Sequence, residues 1–113
     1  MELTLLGTGC PKVDHNRFGP SNLVSTKKTK ILVDCGSGVT QRISKLNIST
    51  AEIDALFLTH LHSDHISDLA DFHLYSWVAQ NRGGKLPVYG PRGTQLVTEG
   101  ISRAYELDME YRT

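Results

Sequence analysis

Four side chains that can bind a metal ion fall within six consecutive positions of this chain. They are His60, His62, Asp64 and His65. Imidazole and carboxylate together favour Zn, Mn or Fe, whereas Ca and Mg prefer ligands that are all oxygen. A lone histidine is more often a polar surface or helix-cap residue. So tight a group directly after an apolar strand, where active sites tend to lie, indicates a metal site instead.

The spacing of these residues predicts two neighbouring sites. Side chains at i and i+2 of an extended backbone project to the same side, so His60 and His62 can reach one ion. Asp64 and His65 fall where the chain turns into a helix, and they can point at a second ion a few Å away. Two ions roughly 3.5–4 Å apart can share a water molecule and activate it at neutral pH. The chemistry that this pattern predicts is hydrolysis.

The segments around the cluster alternate between strand and helix patterns. Apolar runs predict strands at 3–6, 22–25, 30–34, 55–58 and 86–89, and the turn-like residues 26–29 indicate a hairpin. Helices are expected after Gly38, after His65 and from Thr94, which could cap the last one, and residues 49–52 are expected to form a helix-start turn before the strand at 55–58. The apolar positions of the last two helices are Ile66, Leu69, Ala70, His73, Trp77, Val78, and Leu96, Val97, Ile101, Tyr105. This pattern predicts an α/β or α+β fold with a mixed sheet.

Length and composition limit the class of protein. We expect a single domain over 1–113, because 113 residues suit one hydrophobic core. Twelve basic and twelve acidic residues give zero formal charge, which removes the simplest argument for a nucleic-acid partner. With no leader pattern and no long apolar run, we expect a cytoplasmic protein without a membrane segment. Cys10 and Cys35 form no C-x-x-C pair and are expected to be buried small side chains.

The motif His60-x-His62-x-Asp64-His65 resembles the signature of the metallo-β-lactamase superfamily. Further stretches resemble the tRNase Z and arylsulfatase-like branch of that superfamily: 6–9, 17–22, 33–41, 53–59 and 88–94. The resemblance implies the N-terminal half of an αββα sandwich, with a mixed sheet and outer helices. Gly7-Thr8-Gly9, within the first stretch, is more typical of a tight turn than of a phosphate-binding loop.

The resemblance also implies roles for individual residues. The first ion would take the two histidines of the H-x-H pair and the second the following Asp and His, so the ligands are His60, His62, Asp64 and His65. Asp64 would also accept or donate the proton of the attacking water. Asp34 and Thr59 match positions behind the ligands, and Arg17 lies in a loop that borders the mouth of the site, where it could hold an anionic substrate. Two zinc ions are implied, with Mn or Fe as alternatives.

The family completes its two metal sites with a later His, a bridging Asp and a last His. After His65 this sequence has only His73, which we interpret as a packed helix residue. One half of the sandwich would also leave a sheet face exposed. We therefore expect a truncated domain, or one that is completed by another chain, for which a self-paired homodimer or domain swap is one route.

Three functions remain open. The first is a metal-dependent phosphodiesterase, such as a tRNA 3′-end processing endonuclease acting on RNA. The second is a small-molecule esterase, such as a sulfatase or lactonase, which the neutral net charge slightly favours. The third is an inactive fragment that folds or dimerises without complete metal sites, which the missing ligands favour for these residues alone.

Overall fold

A computed structural model of the chain describes residues 1–9, 17–76 and 85–112. Its strands are β1 (Glu2–Gly7), β2 (Ser21–Ser25), β3 (Lys30–Val33), β4 (Ala55–Phe57) and β5 (Val88–Tyr89). Its helices are α1 (Val39–Lys45), α2 (Ser63–Ile66), α3 (Leu69–Leu74), α4 (Thr94–Ala104) and α5 (Glu106–Arg112), with a 3₁₀ turn at Thr50–Glu52. No helix in this described part is long and apolar enough to cross a membrane.

The five strands form one mixed sheet in the order of the sequence, β1-β2-β3-β4-β5. The first three are antiparallel neighbours, and β4 and β5 add in parallel. The hairpin between β2 and β3 closes with Thr26, whose backbone N–H donates to the Thr29 carbonyl at 2.8 Å. The predictions of an α/β class and a mixed sheet are confirmed. The change from antiparallel to parallel pairing at β3 matters for function, because β3 and β4 therefore end at the same edge of the sheet.

One face of the sheet carries the hydrophobic core. Leu23, Leu32 and Leu56 are paired across β2, β3 and β4, and each is almost fully buried. Helices α1 and α3 add Val39, Ile43, Leu69 and Phe72 to the same apolar cluster. The helices between the strands therefore cover this face, as the apolar periodicity of their sequences predicts.

The opposite face of the sheet is mostly apolar as well, but none of its side chains is fully buried: five are half-buried and four are exposed. Two rows cross it in register: Leu3, Val24, Ile31, Ala55, and Leu5, Asn22, Val33, Phe57, Tyr89. The two leucines of β1 are 64% and 59% exposed, and the Phe57 and Tyr89 rings stack at 4.9 Å between centroids. Soluble proteins seldom leave so continuous an apolar surface uncovered. We call these two rows the outer face.

Several local expectations differ from the structure. The stripe expected after His65 is split into α2 and α3, because Asp68 stands between them with φ −99° and ψ 4° and interrupts the helix. Thr94 does not cap α4: Gly93, at φ 103°, occupies that position, and the Thr94 hydroxyl donates to the Pro91 carbonyl at 2.7 Å. Leu96 is 75% exposed rather than packed. Helix α5 was not expected, and Cys10, Trp77 and Val78 lie outside the described residues.

Other expectations hold. The helix-start turn at 49–52 is a 3₁₀ turn with a complete capping box, in which Ser49 and Glu52 exchange side-chain and backbone hydrogen bonds. Cys35 is fully buried, and burial, with further contributions from Asp68 and Asp34, raises the pKa of its thiol well above the ordinary range. Gly7 lies so close to the Gly19 carbonyl that a Cβ would overlap that oxygen. Close backbone approach, rather than a turn, thus accounts for Gly7, which is the last residue of β1.

Candidate metal centre

The ligand motif begins where β4 ends, beside the end of the parallel strand β3. The backbone N–H of Asp34 donates to the Phe57 carbonyl at 2.8 Å, which extends the pairing of the two strands by one residue. The Asp34 side chain then accepts hydrogen bonds from Thr59, the residue before the first predicted ligand. The two parallel strands therefore deliver a carboxylate and the motif to the same edge of the sheet, where the sequence predicted a site.

Asp34 is the buried centre of the hydrogen bonds at this edge. Its side chain is 7% exposed. Oδ1 accepts from the backbone N–H of Thr59 at 2.8 Å, and Oδ2 accepts from the Thr59 hydroxyl at 2.7 Å. The backbone of Asp34 has φ 63°, and its carbonyl accepts from the Ser21 hydroxyl at 2.8 Å. Asp tolerates a left-handed backbone conformation better than most residues do. The several hydrogen bonds of Asp34 hold it in this conformation.

His65 and Asp64 lie against this buried edge. Nδ1 of His65 is 2.9 Å from Oδ2 of Asp34, although the contact lacks the direction of a good hydrogen bond. Nε2 of the same ring is 3.6 Å from Oδ2 of Asp64, and both side chains are 18% exposed. The carbonyl of His65 accepts from the backbone N–H of Cys35 at 2.8 Å. Side chain and backbone of His65 are thus both held against the end of β3.

His60 and His62 are the exposed members of the cluster. The His60 ring lies 3.9 Å from that of His65 and 4.8 Å from that of His62, measured between centroids. Nδ1 of His60 is 3.1 Å from the Thr59 hydroxyl oxygen. The structure therefore brings three predicted ligand rings into contact beside the carboxylate of Asp64.

Close packing of backbone segments holds the motif in place. Gly36 passes so near to Gly19, Pro20 and the Asp64 carbonyl that a Cβ would lie 2.5–2.7 Å from their atoms. Asp68 closes the other end, because its N–H donates to the Cys35 carbonyl at 3.0 Å and its Oδ2 accepts from the Thr40 N–H at 2.7 Å. Burial raises the pKa of Asp68, and the hydrogen bonds from Thr40 oppose that shift.

The donor atoms of the cluster are of the types that bind a metal ion, and one pair of them has the separation expected of two ligands. Two ligands of a tetrahedral ion with bonds of about 2.0–2.2 Å are roughly 3.3–3.6 Å apart, and His65 Nε2 and Asp64 Oδ2 are separated by 3.6 Å. Across residues 1–9, 17–76 and 85–112, no group of three or more His, Cys, Asp or Glu side chains has the arrangement needed to hold an ion. The donor set therefore fits a metal, but further ligands are required.

Arg17, a predicted substrate contact, and His73, the later histidine, make none of the contacts described for the cluster. Arg17 is exposed, next to the Gly9 backbone. His73 lies in α3 beside a cavity of about 930 Å³ between α3, β5 and α4, and burial lowers the pKa of its imidazole. His73 is thus a half-buried residue of helix α3, where the sequence predicted a helix residue.

Sequence reasoning missed two positions that shape the centre, Gly36 and Asp68, and did not show the contacts of a third, Thr59. Gly36 could have been suspected from its place directly after the Asp34-Cys35 pair, but its contacts are with residues far away in the chain. Asp68 has the sequence context of an ordinary helix residue. Its neighbours in sequence do not show that it accepts a hydrogen bond from Thr40 at the start of α1, 28 residues earlier. Thr59 was expected near the ligands, but the sequence does not show that one hydroxyl touches both Asp34 and His60.

Comparison with known proteins extends these observations. A sequence model of the family described as "Anti-Pycsar protein Apyc1" matches residues 1–99. Ribonuclease Z of Mycolicibacterium gilvum is 46% identical over 114 residues, which cover 99% of this chain and 40% of the relative. The chain thus spans about two fifths of the length of the curated relatives it matches.

Solved structures agree with the sequence relatives. Human tRNase Z, short form, superimposes with a TM-score of 0.81 at 28% identity, over 96% of this chain and 40% of that one. A diphosphatase of the PhnP family superimposes with a TM-score of 0.70 at 25% identity, over 90% of this chain and 46% of that one. Both alignments include most of the sheet and its covering helices, because they leave so little of this chain unmatched.

Proposed function

Because the chain belongs to the Anti-Pycsar protein Apyc1 family and to the tRNase Z-like branch of the metallo-β-lactamase superfamily, we propose that it is the metal-binding part of a zinc-dependent phosphodiesterase. The observation that carries this proposal is the contact of the His60 ring with the rings of His62 and His65, the second of which lies 3.6 Å from the Asp64 carboxylate. Relatives described as ribonuclease Z and as a diphosphatase favour a phosphorus ester or anhydride over a sulfate ester or lactone. A tRNA precursor with a 3′ extension is the most specific substrate of this proposal.

Each ligand has a place in the proposed centre. His60 and His62 would hold one ion, and Asp64 and His65 the other. When bound, the ions supply Lewis-acid polarisation of the ester and activation of water at neutral pH. Asp64 would take up the proton of the attacking water, because a carboxylate has a second oxygen free for that purpose. Asp34 and Thr59 orient the imidazoles from behind.

Arg17 is the proposed contact for the anionic group of the substrate. Its guanidinium is exposed and can offer a planar pair of donors to a phosphate. Replacing Arg17 by Lys keeps the charge but loses that paired geometry. We expect an increase in KM with little change in kcat, whereas an unchanged KM would remove Arg17 from the site.

Polypeptide outside residues 1–113 would complete the centre. The curated relatives are about two and a half times as long as this chain, and the outer face is the surface that such polypeptide can cover. We assign the missing ligands to it. A second copy of the chain on the outer face is the other outcome, and sedimentation of the purified chain distinguishes the two, because self-pairing gives a dimer with the mass of two chains.

Metal content and substrate choice test the proposal together. The chain, expressed together with the polypeptide that we propose completes its centre and reconstituted with Zn, Mn or Fe, is assayed for bound metal and for cleavage of a phosphodiester reporter, a tRNA precursor, an aryl sulfate and a lactone. We expect bound metal and cleavage of the first two substrates, with Asp64→Asn inactive. Cleavage of only the sulfate or the lactone would establish the esterase alternative. Failure to retain metal in a folded protein would establish the inactive alternative for these residues.

A further inference from the structure

The Thr59 hydroxyl stands between a buried carboxylate and an exposed imidazole. Its oxygen is 2.7 Å from Oδ2 of Asp34 and 3.1 Å from Nδ1 of His60. The backbone N–H of Thr59 also donates to Oδ1 of Asp34 at 2.8 Å. Two hydrogen bonds to one carboxylate therefore fix both the position of this residue and the rotamer of its side chain.

The single proton of the Thr59 hydroxyl determines which nitrogen of the His60 ring is protonated. A hydroxyl has one proton to donate, and an ionised carboxylate can only accept. The Thr59 proton is therefore committed to Asp34, and only lone pairs of the hydroxyl oxygen remain for His60. A hydrogen bond between that oxygen and Nδ1 then requires the ring to carry its proton on Nδ1.

We infer that Thr59 is a positioning residue that selects the Nδ1-protonated tautomer of His60 and leaves Nε2 as the electron-pair donor of that ring. A neutral imidazole has one protonated and one unprotonated nitrogen, so the hydrogen bond at one atom determines the other. Free histidine in water favours the proton on Nε2, which is the opposite of what this contact requires. The selection therefore depends on a specific neighbour, and the Thr59 hydroxyl is the one in contact.

The same carboxylate serves two rings by different routes. Asp34 lies directly against Nδ1 of His65 at 2.9 Å, with Nε2 of that ring directed toward Asp64. It acts on His60 only through Thr59. The Nε2 atom of His60 that is freed in this way becomes a ligand atom under the proposed function, on which that part of the inference rests. The tautomer of His60 itself does not depend on it.

A matched pair of substitutions isolates the hydroxyl. Thr59→Val has nearly the same shape but no hydroxyl, whereas Thr59→Ser retains the hydroxyl without the methyl group. We expect Thr59→Val to shift His60 toward the Nε2-protonated form and to leave His65 unchanged, because Asp34 still faces that ring. Thr59→Ser should restore the wild-type state of His60.

The measurement is a two-bond ¹⁵N–¹H correlation spectrum of the histidine rings, recorded on the full chain stripped of metal with EDTA at mildly alkaline pH, where imidazoles are neutral. A His60→Gln spectrum assigns the His60 signals. An Nε2-protonated His60 in the wild type overturns the inference, and so does an unchanged His60 in a folded Thr59→Val. If Thr59→Val does not fold, the wild-type and Thr59→Ser spectra still decide the tautomer.

Zinc titration gives a second, independent measurement. Loss of a residue behind a metal ligand typically weakens binding roughly 10- to 100-fold. We expect Thr59→Val to weaken zinc binding about 10-fold, and Thr59→Ser to remain near the wild-type value. If zinc binds nowhere but His60 has the Nδ1-protonated form, the tautomer assignment stands and the proposed function fails.

Discussion

The two halves of the histidine cluster are held in very different ways. Asp64 and His65 are largely buried; the His65 ring lies against Asp34, and its carbonyl accepts a hydrogen bond from Cys35. His60 and His62 are exposed, and the Thr59 hydroxyl is the hydrogen-bonding contact described for His60. We call the first pair the anchored half and the second the exposed half. On binding an ion as proposed, the anchored half would lose less conformational freedom, since packing has already restricted its rotamers.

This difference shows which part of the centre the fold itself builds. The end of β3 supports the anchored half through contacts that are distant in sequence. The exposed half has no comparable support among the described residues, and it needs an ion or additional polypeptide to become fixed. Substitutions at the end of β3 should therefore affect stability and metal binding together, whereas substitutions in the exposed half should affect metal binding alone.

The largest effect is expected at Gly36, which packs directly under the anchored half. An Ala Cβ there would lie within 2.5–2.7 Å of backbone atoms of Gly19, Pro20 and Asp64, and backbone cannot rotate away as a side chain can. We expect Gly36→Ala to lower the free energy of unfolding by about 3 kcal/mol, at the upper end of overpacking effects. Urea denaturation followed by circular dichroism measures this value.

Gly100 provides the matched control for that substitution. It lies within α4 and would meet no atom within 4 Å of an added Cβ. Gly100→Ala should raise the free energy of unfolding by roughly 0.5–1 kcal/mol, because Ala loses less entropy in a helix than Gly does. A Gly36→Ala variant as stable as wild type would mean that the end of β3 does not pack closely under Asp64.

The second largest effect is expected at Asp34. Asp34→Ala would remove a buried carboxylate and leave the part-buried Thr59 N–H and hydroxyl without their acceptor. We expect a loss of about 2–3 kcal/mol in the free energy of unfolding, together with weaker zinc binding by calorimetry. Asp54→Ala is the control, because Asp54 also accepts a backbone N–H, from Lys30 at 2.8 Å, but at an exposed site. Equal losses for the two variants would contradict a special role for burial at Asp34.

A third prediction compares the two halves directly. His65→Ala should lower the free energy of unfolding by about 1 kcal/mol, because it removes a packed ring and its contact with Asp34. His60→Ala should leave the unfolding transition unchanged, since that ring is exposed. Both should reduce the zinc bound in a calorimetric titration. If His60→Ala destabilised the protein as much as His65→Ala, the distinction between the halves would be wrong.

The smallest effect concerns the pH dependence of stability at Asp68. Burial raises the pKa of this carboxyl in the folded chain, so the folded state binds the proton more tightly than the unfolded state does. The free energy of unfolding should therefore fall as the pH rises from the unfolded pKa, about 3.9, through the raised folded value. Asp68→Asn should remove this decrease while its amide oxygen still accepts from Thr40. Identical pH profiles for the two proteins would argue against the raised pKa.

Much of this architecture could be predicted from the sequence, because local patterns determine it. Short apolar runs on either side of a turn-like segment marked β2 and β3, the residues 49–52 had the pattern of a helix-start turn, and the cluster from His60 to His65 identified its own edge of the sheet. The support of the anchored half could not be predicted in this way. The contacts of Gly36 with Pro20 and Asp64, and of Asp68 with Thr40, join residues 16 to 28 positions apart. They exist only once the strands are paired.

The sequential order of the strands has a consequence for the nascent chain. Each strand of the described sheet pairs with the one that precedes it, from β1 to β5, so a polypeptide that has emerged only as far as Tyr89 already contains all five. Pairing can proceed from the N-terminus during translation, and the ligand motif is then anchored before any later polypeptide reaches the outer face. Until that face is covered, its apolar rows are a binding surface for chaperones and a site at which nascent copies can aggregate.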